Sequence, residues 1–352
     1  MTAAPERAPR TDERPEPPPA ATLPSRLPPA VVRPVVPRVV RSGDVPHAEL
    51  RERVRAGDLV RVLRGVYAPA APSSTPWEAA RYTLLCRAAA VHAVRSATHW
   101  FSGETAAVLW GCDLVRIPAL VDVTSLLNPH VRGGRRQAGV REHWTARVER
   151  SAEASQALDL PVAPLERTVV ECASVLPAAH GLGVADSALR AGADPDVLAR
   201  VLEQSAGRRG VRRARDVLQH ADGRAESAGE SLLRWAAVAA GVPAPDLQVP
   251  IATRLGVRWV DLGWPACRLA VEFDGRAKYG DEPRQVEQGW FEEKRRQDAI
   301  EEEGWTVLRV TWPDLADPVA LGVRLHRALR KAAARPRSEV ATPRPARTRS
   351  SR

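Results

Sequence analysis

Lysine is nearly missing from this chain. Of its 52 basic residues only Lys278, Lys294 and Lys331 are lysines, which leaves 49 arginines. Cysteine is scarce as well. Cys86, Cys112, Cys172 and Cys267 stand far apart with no C-x-x-C pair, which argues against a disulfide framework or a thiolate zinc site and predicts scattered buried thiols. Long apolar runs are also absent. The longest uncharged stretch, Cys172 to Ala185, includes Pro177 and His180 and falls short of the roughly 18 apolar residues that span a bilayer. The opening residues carry no apolar segment of the kind that directs secretion. The expectation is a soluble, cytoplasmic chain with no membrane partner.

What is there is length, arginine and proline. A chain of 352 residues is long enough for two or three modules with real cores. Its net charge of +10 is unevenly spread: residues 1–41 carry +3 and residues 331–352 carry +6, so the body between them is nearly neutral. Eleven of the 31 prolines fall in the first 40 residues, too many for packed structure. Both ends are therefore expected to be disordered arms. An arginine-rich tail suits loose phosphate contact, and a merely solubilising tail fits it equally well.

Between the arms the pattern predicts an α/β (α+β) chain of three modules. In residues 42–75, Leu50 and Val54 share one helical face and Gly57 ends the run. Leu59–Leu63 and Val66–Tyr67 then flank Arg64-Gly65 as a hairpin. A helix followed by a basic hairpin is the outline of a winged helix, with Arg51, Arg53, Arg55, Arg61 and Arg64 available to DNA phosphates. A small α+β cap with solvated arginines fits the same residues. Residues 76–222 read as a mixed α/β module with helices from Pro76, from Ser102-Gly103 and after Pro164, and a strand near Leu120 to Thr124. His92, His99 and His143 read there as lone structural histidines. GRRGVRRAR (207–215) reads as a phosphate-binding stripe or a solvated linker face.

Residues 223–330 carry the chemistry. A helix over 226–240 precedes three short strands, 247–251, 257–262 and 268–274; a helix over 286–303, a strand over 305–311 and a last helix capped by Asp317-Pro318 follow. Glu272 and Asp274 fall on one face of their strand, since successive side chains alternate. Asp261 ends the preceding strand, and hairpin pairing would bring it to them. Close like charges need a neutralising cation. Donors made only of carboxylate oxygen suit Mg²⁺ or Mn²⁺. A half-exposed sheet with a wet acidic face accounts for the same residues.

The stretch from Glu230 through Asp261, VEFDG (271–275), Lys278-Tyr279, EKRRQD (293–298) and GWTVLRVTW (304–312) resembles a bacterial domain-of-unknown-function family. That family is related to very-short-patch-repair (Vsr-like) endonucleases of the PD-(D/E)XK restriction-endonuclease fold. Upstream, RSGD…AGDLVRVLRGVYA, GETAAVLWG (103–111) and LERTVVECA (165–173) resemble AbiEi-type antitoxin proteins. The resemblance implies a central sheet flanked by helices in residues 223–330. It implies Asp261 and Glu272 as catalytic metal-binding acids, Glu230 as the supporting helix acid, and Lys278 in the chemical step; Asp274, on the face of Glu272, would join the catalytic metal-binding acids. Asp274 stands where that fold has its lysine, so Lys278 would act from a shifted position and the identity of the base stays open. Lys294, Arg295 and Arg296 would grip the DNA backbone. Two functions are thus expected: a Mg²⁺-dependent DNA endonuclease, or an antitoxin-like regulator with an inactive nuclease fold and a toxin-like partner. The sequence carries no signal for oligomeric state.

Overall fold

The computed structural model describes residues 33–72, 75–126, 137–146, 159–275 and 283–335, with the backbone alone for 283–291. It is a mixed α/β chain built on three sheets. Among the described residues no helix is long and apolar enough to cross a membrane.

The first sheet joins β1 (Val40–Arg41), β2 (Leu59–Leu63) and β3 (Val66–Pro69) in the order β1-β3-β2, beside helix α1 (His47–Arg55). No further helix precedes α1 among the described residues, so this is one helix and a three-stranded ribbon. Residues 33–41 were expected to belong to a disordered arm, and here the fold corrects the boundary. Val40 and Arg41 pair with Tyr67 and Val66, and the Arg33 guanidinium lies 4.9 Å from the centre of the Trp110 ring. A proline-rich segment needs few backbone partners, and a cation over an indole face holds it in place. Residues 1–32 and 336–352 lie outside the described residues.

The central module begins with α2 (Pro76–Val94), where Thr75 and Glu78 form a capping box and Pro76 takes the first turn. α3 (Gly103–Trp110) follows strand β4 (His99–Phe101), and the sheet is completed by β5 (Val121–Ser125) and β6 (Val140–Trp144). β5 lies between the other two, antiparallel to β4 and parallel to β6. Four helices, α4 (Leu165–Val175), α5 (Ala178–Arg190), α6 (Pro195–Gln204) and α7 (Val211–Leu218), pack on it around Phe101, Leu109, Val169 and Val184. The arginine run at 207–215 is thus largely helix α7. Val211, Ala214 and Val217 face inward, while Arg213 donates to the carbonyls of Val175 and Leu176 at 3.1 and 3.0 Å.

The third sheet runs β10-β9-β8-β7: β7 (Asp246–Thr253), β8 (Gly256–Trp264), β9 (Leu269–Asp274) and β10 (Thr306–Thr311). The first three strands form an antiparallel meander, and β10 returns parallel to β9 after helix α9 (Pro283–Glu302) and leads into the one-turn helix α10 (Trp312–Leu315). α8 (Ala228–Ala239) and α11 (Pro318–Ala333) cover one face over Leu233, Leu262, Val271, Leu321 and Leu325; Ile300 of α9 closes the other over Val249, Val260 and Ala270. Gly304 ends α9 at φ 78°, where a β-carbon would also meet Arg268 Nη1 at 2.8 Å. α11 keeps its predicted cap, with Asp317 accepting from the Ala320 N–H at 2.9 Å. It runs to Ala333, so residues 331–335 belong to the fold and not to the tail, and Arg335 Nη1 donates to Thr306 Oγ1 at 3.0 Å.

The expected break near residue 222 is no open linker. α8 packs on α5 through a buried ion pair between Arg234 and Asp186, at 2.5 Å, and Ser231 donates to the same carboxylate at 2.7 Å. Its Gly229 and Leu233 meet the third sheet.

Candidate functional site

The site lies where β8 and β9 part. Their pairing runs Trp264↔Leu269, Gly263↔Ala270, Leu262↔Val271 and goes no further. At the next position the Asp261 carboxylate takes over the missing carbonyl's part: Oδ2 accepts the backbone N–H of Phe273 at 2.7 Å. Across β8 the ladder to β7 is interrupted at the same place. Leu247↔Leu262 and Val249↔Val260 pair, while Gln248 between them takes a left-handed φ of 49°. A non-glycine residue there costs roughly 1–3 kcal/mol and persists only where neighbours enforce it. Gln248 Nε2 donates to Glu230 Oε2 at 3.3 Å. This irregularity alters the simple alternation: Val260 and Leu262 sit in opposite core faces, and Asp261 turns toward β9.

A cavity of about 170 Å³ opens there, lined by Asp261, Glu272, Asp274, Glu293, Arg296 and Arg309, with Phe273 and Gly275 contributing to its wall. Three of the predicted acids are therefore together. Glu272 is buried, and its pKa is raised, first by burial and then by Asp261 and Glu293, against the lowering pull of Arg296. Arg296 Nη2 stands 3.0 Å from Glu272 Oε1, but it is directed at the Trp259 carbonyl, 2.5 Å away. Glu272 Oε1 consequently has a nearby charge and no hydrogen bond among the described residues. Arg296, expected to grip DNA, stands beside this acid and keeps part of its side chain exposed. Lys294 and Arg295 are exposed on the same helix.

Two lining residues were not anticipated. Arg309 faces Glu272 in the parallel register and pairs with Glu293 at 2.7 Å. Its trace in the sequence is a lone arginine in the apolar strand TVLRVT.

Glu230 does not line the cavity. It caps α8: Oε1 accepts from Ser227 Oγ and Oε2 from the Glu226 N–H, both at 2.8 Å. Burial, followed by the charge of Asp261, pushes its pKa up to about 8. Lys278 lies outside the described residues.

Among the described residues, no group of three or more His, Cys, Asp or Glu side chains stands placed to hold a metal ion. The donor set nevertheless fits an open Mg²⁺ or Mn²⁺ site. It offers hard carboxylate oxygens, and one buried oxygen lacks a hydrogen bond. Mg²⁺ ordinarily takes only one or two carboxylates and completes its shell with water and phosphate.

In the first module Arg51, Arg55, Arg61 and Arg64 are exposed, while Arg53 is half-buried and lies 3.6 Å from Glu49. Arg61 and Arg64 share a groove with Arg87 of α2.

No family model matches the chain. One solved structure, the crystal structure of RV2827C protein from Mycobacterium tuberculosis, is 21% identical, with a TM-score of 0.33 over 53% of this chain and 72% of its own. Two curated relatives, the uncharacterized proteins Rv2248 (strain H37Rv) and MT2308 (strain CDC 1551) of Mycobacterium tuberculosis, are 34% identical over 290 residues. The match covers 81% of this chain and 97% of each of theirs. At that identity and coverage, the chain belongs to the family of these two mycobacterial proteins.

Proposed function

We propose that the chain is a DNA-binding protein whose C-terminal module is a Vsr-like, metal-dependent endonuclease that hydrolyses phosphodiester bonds. The observation that carries this reading is the meeting of Asp261, bonded to the Phe273 N–H, with Glu272, whose buried Oε1 has the Arg296 guanidinium 3.0 Å away but no hydrogen bond among the described residues, at the parted end of β8 and β9. Asp261, Glu272 and Asp274 would hold Mg²⁺ or Mn²⁺. Bound there, the ion would acidify a water and stabilise charge on the phosphoryl oxygens. Arg309 and Arg296 keep the acids from repelling one another and give a scissile phosphate a cationic wall. Lys294 and Arg295 would meet the flanking backbone. Lys278 keeps its proposed part in the chemical step on sequence grounds alone. A cytoplasmic site of action suits such an enzyme.

The exposed arginines of α1 and the β2–β3 hairpin favour a second reading, an antitoxin-like regulator that binds DNA without cutting it and has a toxin-like partner. Supercoiled plasmid incubated with the purified protein separates the two. Nicking with Mg²⁺ or Mn²⁺ that EDTA stops and Asp261→Asn abolishes supports the enzyme. Intact plasmid under all conditions, with a shift of the protein's own promoter fragment, selects the regulator.

A further inference from the structure

The central module holds a second cavity, of about 230 Å³, which the nuclease reading does not use. It lies beside β5, β6, α4 and the start of α3, and its floor is Asp122. That residue is 1% exposed. Its Oδ1 receives His143 Nε2 at 2.9 Å and Arg141 Nη1 at 3.2 Å, residues that the parallel register of β5 and β6 brings alongside. Its Oδ2 is equally buried and has no hydrogen-bond partner among the described residues. A buried carboxylate oxygen left in that state bears its desolvation cost uncompensated, so it marks a place for a donor.

The surroundings say what kind of donor. Glu104 and Glu171 line the same cavity. Arg141 reaches Glu104 only at 3.9 Å, and Glu171 Oε2 accepts the Gly103 N–H at 3.4 Å. Asp122, Glu104 and Glu171 thus share the cavity with Arg141 and His143, and Arg116 also acts on Glu104. Burial, and after it the charge of Asp122, raises the pKa of Glu104, against the lowering pull of Arg141 and Arg116. The walls are aromatic and aliphatic: Trp100 is buried, and Trp144 and Val175 stand exposed at the mouth. Indole faces favour a cation.

We propose that this cavity binds a compact organic cation, an amine or amidine on an aromatic or apolar body, with Asp122 as its anchor. The N–H groups of such a molecule satisfy Oδ2, and its positive charge meets the buried Asp122 carboxylate. Its apolar part replaces water against Trp100, Trp144 and Val175. The volume, below the roughly 300–1,000 Å³ of sites for drug-sized ligands, sets the limit of size. A phosphate or carboxylate compound meets like charge instead. A bare metal ion makes no use of the indole and aliphatic walls, so it is the poorer occupant.

Benzamidine, benzamide and benzoate share one shape and differ in charge, so they test this on the full chain by titration calorimetry and thermal shift. The expected result is saturable benzamidine binding, at least tenfold weaker binding of benzamide and none of benzoate. Asp122→Asn should weaken benzamidine at least tenfold. If that variant does not fold, Trp144→Ala, at the exposed mouth, should weaken it severalfold. The proposal falls if neither benzamidine nor tryptamine binds, or if benzoate binds as well as benzamidine. It falls equally if Asp122→Asn, or in its place Trp144→Ala, binds benzamidine like the wild type.

Discussion

The ring edge of Phe273 rests on the backbone of Gly229, in the space that any other residue would fill with its β-carbon. The same ring meets Trp312 edge-on at 5.0 Å, so it cannot retreat freely. Gly229→Ala should therefore overpack this contact and cost about 1 to 3 kcal/mol, read from the urea midpoint. The double variant with Phe273→Leu should recover much of that loss. Equal destabilisation of single and double variants would mean that the ring is not the obstacle.

Mg²⁺ or Mn²⁺ should raise the melting temperature of the wild type, since a ligand that binds only the folded state stabilises it by mass action. At a hundredfold excess over Kd that is about 2.7 kcal/mol. Chelation with EDTA should reverse it. Asp261→Asn keeps an oxygen for the Phe273 N–H and should melt normally without metal, yet show no rise with it. A rise of the same size in the variant would place the ion elsewhere.

Removing one partner of a buried ion pair strands the other charge. Asp186 is fully buried, and it takes both Arg234 and Ser231. Asp186→Ala should cost about 3 to 5 kcal/mol in chemical denaturation, whereas Asp186→Leu combined with Arg234→Met should lose much less.

His92 Nδ1 and His99 Nε2 lie 3.2 Å apart, and His99 Nδ1 donates to the Ala97 carbonyl at 2.7 Å. With that proton placed, the other nitrogen of neutral His99 accepts from His92. Burial lowers the pKa of both rings, and on His99 the charges of His92 and Arg95 add to it, against Glu142. Each ring therefore stays neutral in the folded chain below its ordinary value of 6.5, while the unfolded chain takes up protons. Stability should fall as pH drops from about 6.5 toward 5, and His99→Gln should flatten the fall. Urea midpoints across that range measure it; a pH-independent midpoint would contradict the neutral pair.

If α1 and its hairpin hold DNA through phosphates, replacing Arg51, Arg55, Arg61 and Arg64 together by alanine should weaken binding to all sequences alike. The slope of log K against log salt should fall by about 0.9 for each phosphate no longer neutralised. An unchanged slope would assign DNA binding to other parts of the chain.

The helices were legible because their ends are written locally. Gly57, Pro76 and Asp317-Pro318 each mark a terminus through groups within a few residues. Asp261, Glu272 and Asp274 were legible as neighbours because a short meander leaves little choice of partner. Their orientation was not, since it depends on the irregularity at Gln248, which nothing in DLQVPIAT announces. Asp122 and His143 went unlinked because two strands 21 residues apart must first pair in parallel. Strand β4, three residues long, is too short to show a period.

Helix α8 gives the molecule a single mechanical fate. One turn of it holds Asp186 of the central module, and the turn before seats Phe273 beside the acids. Severing the chain at residue 222 would strip either half of a surface it needs. Heat or denaturant should accordingly dismantle both halves in one transition, and a protease should find no durable fragment between them.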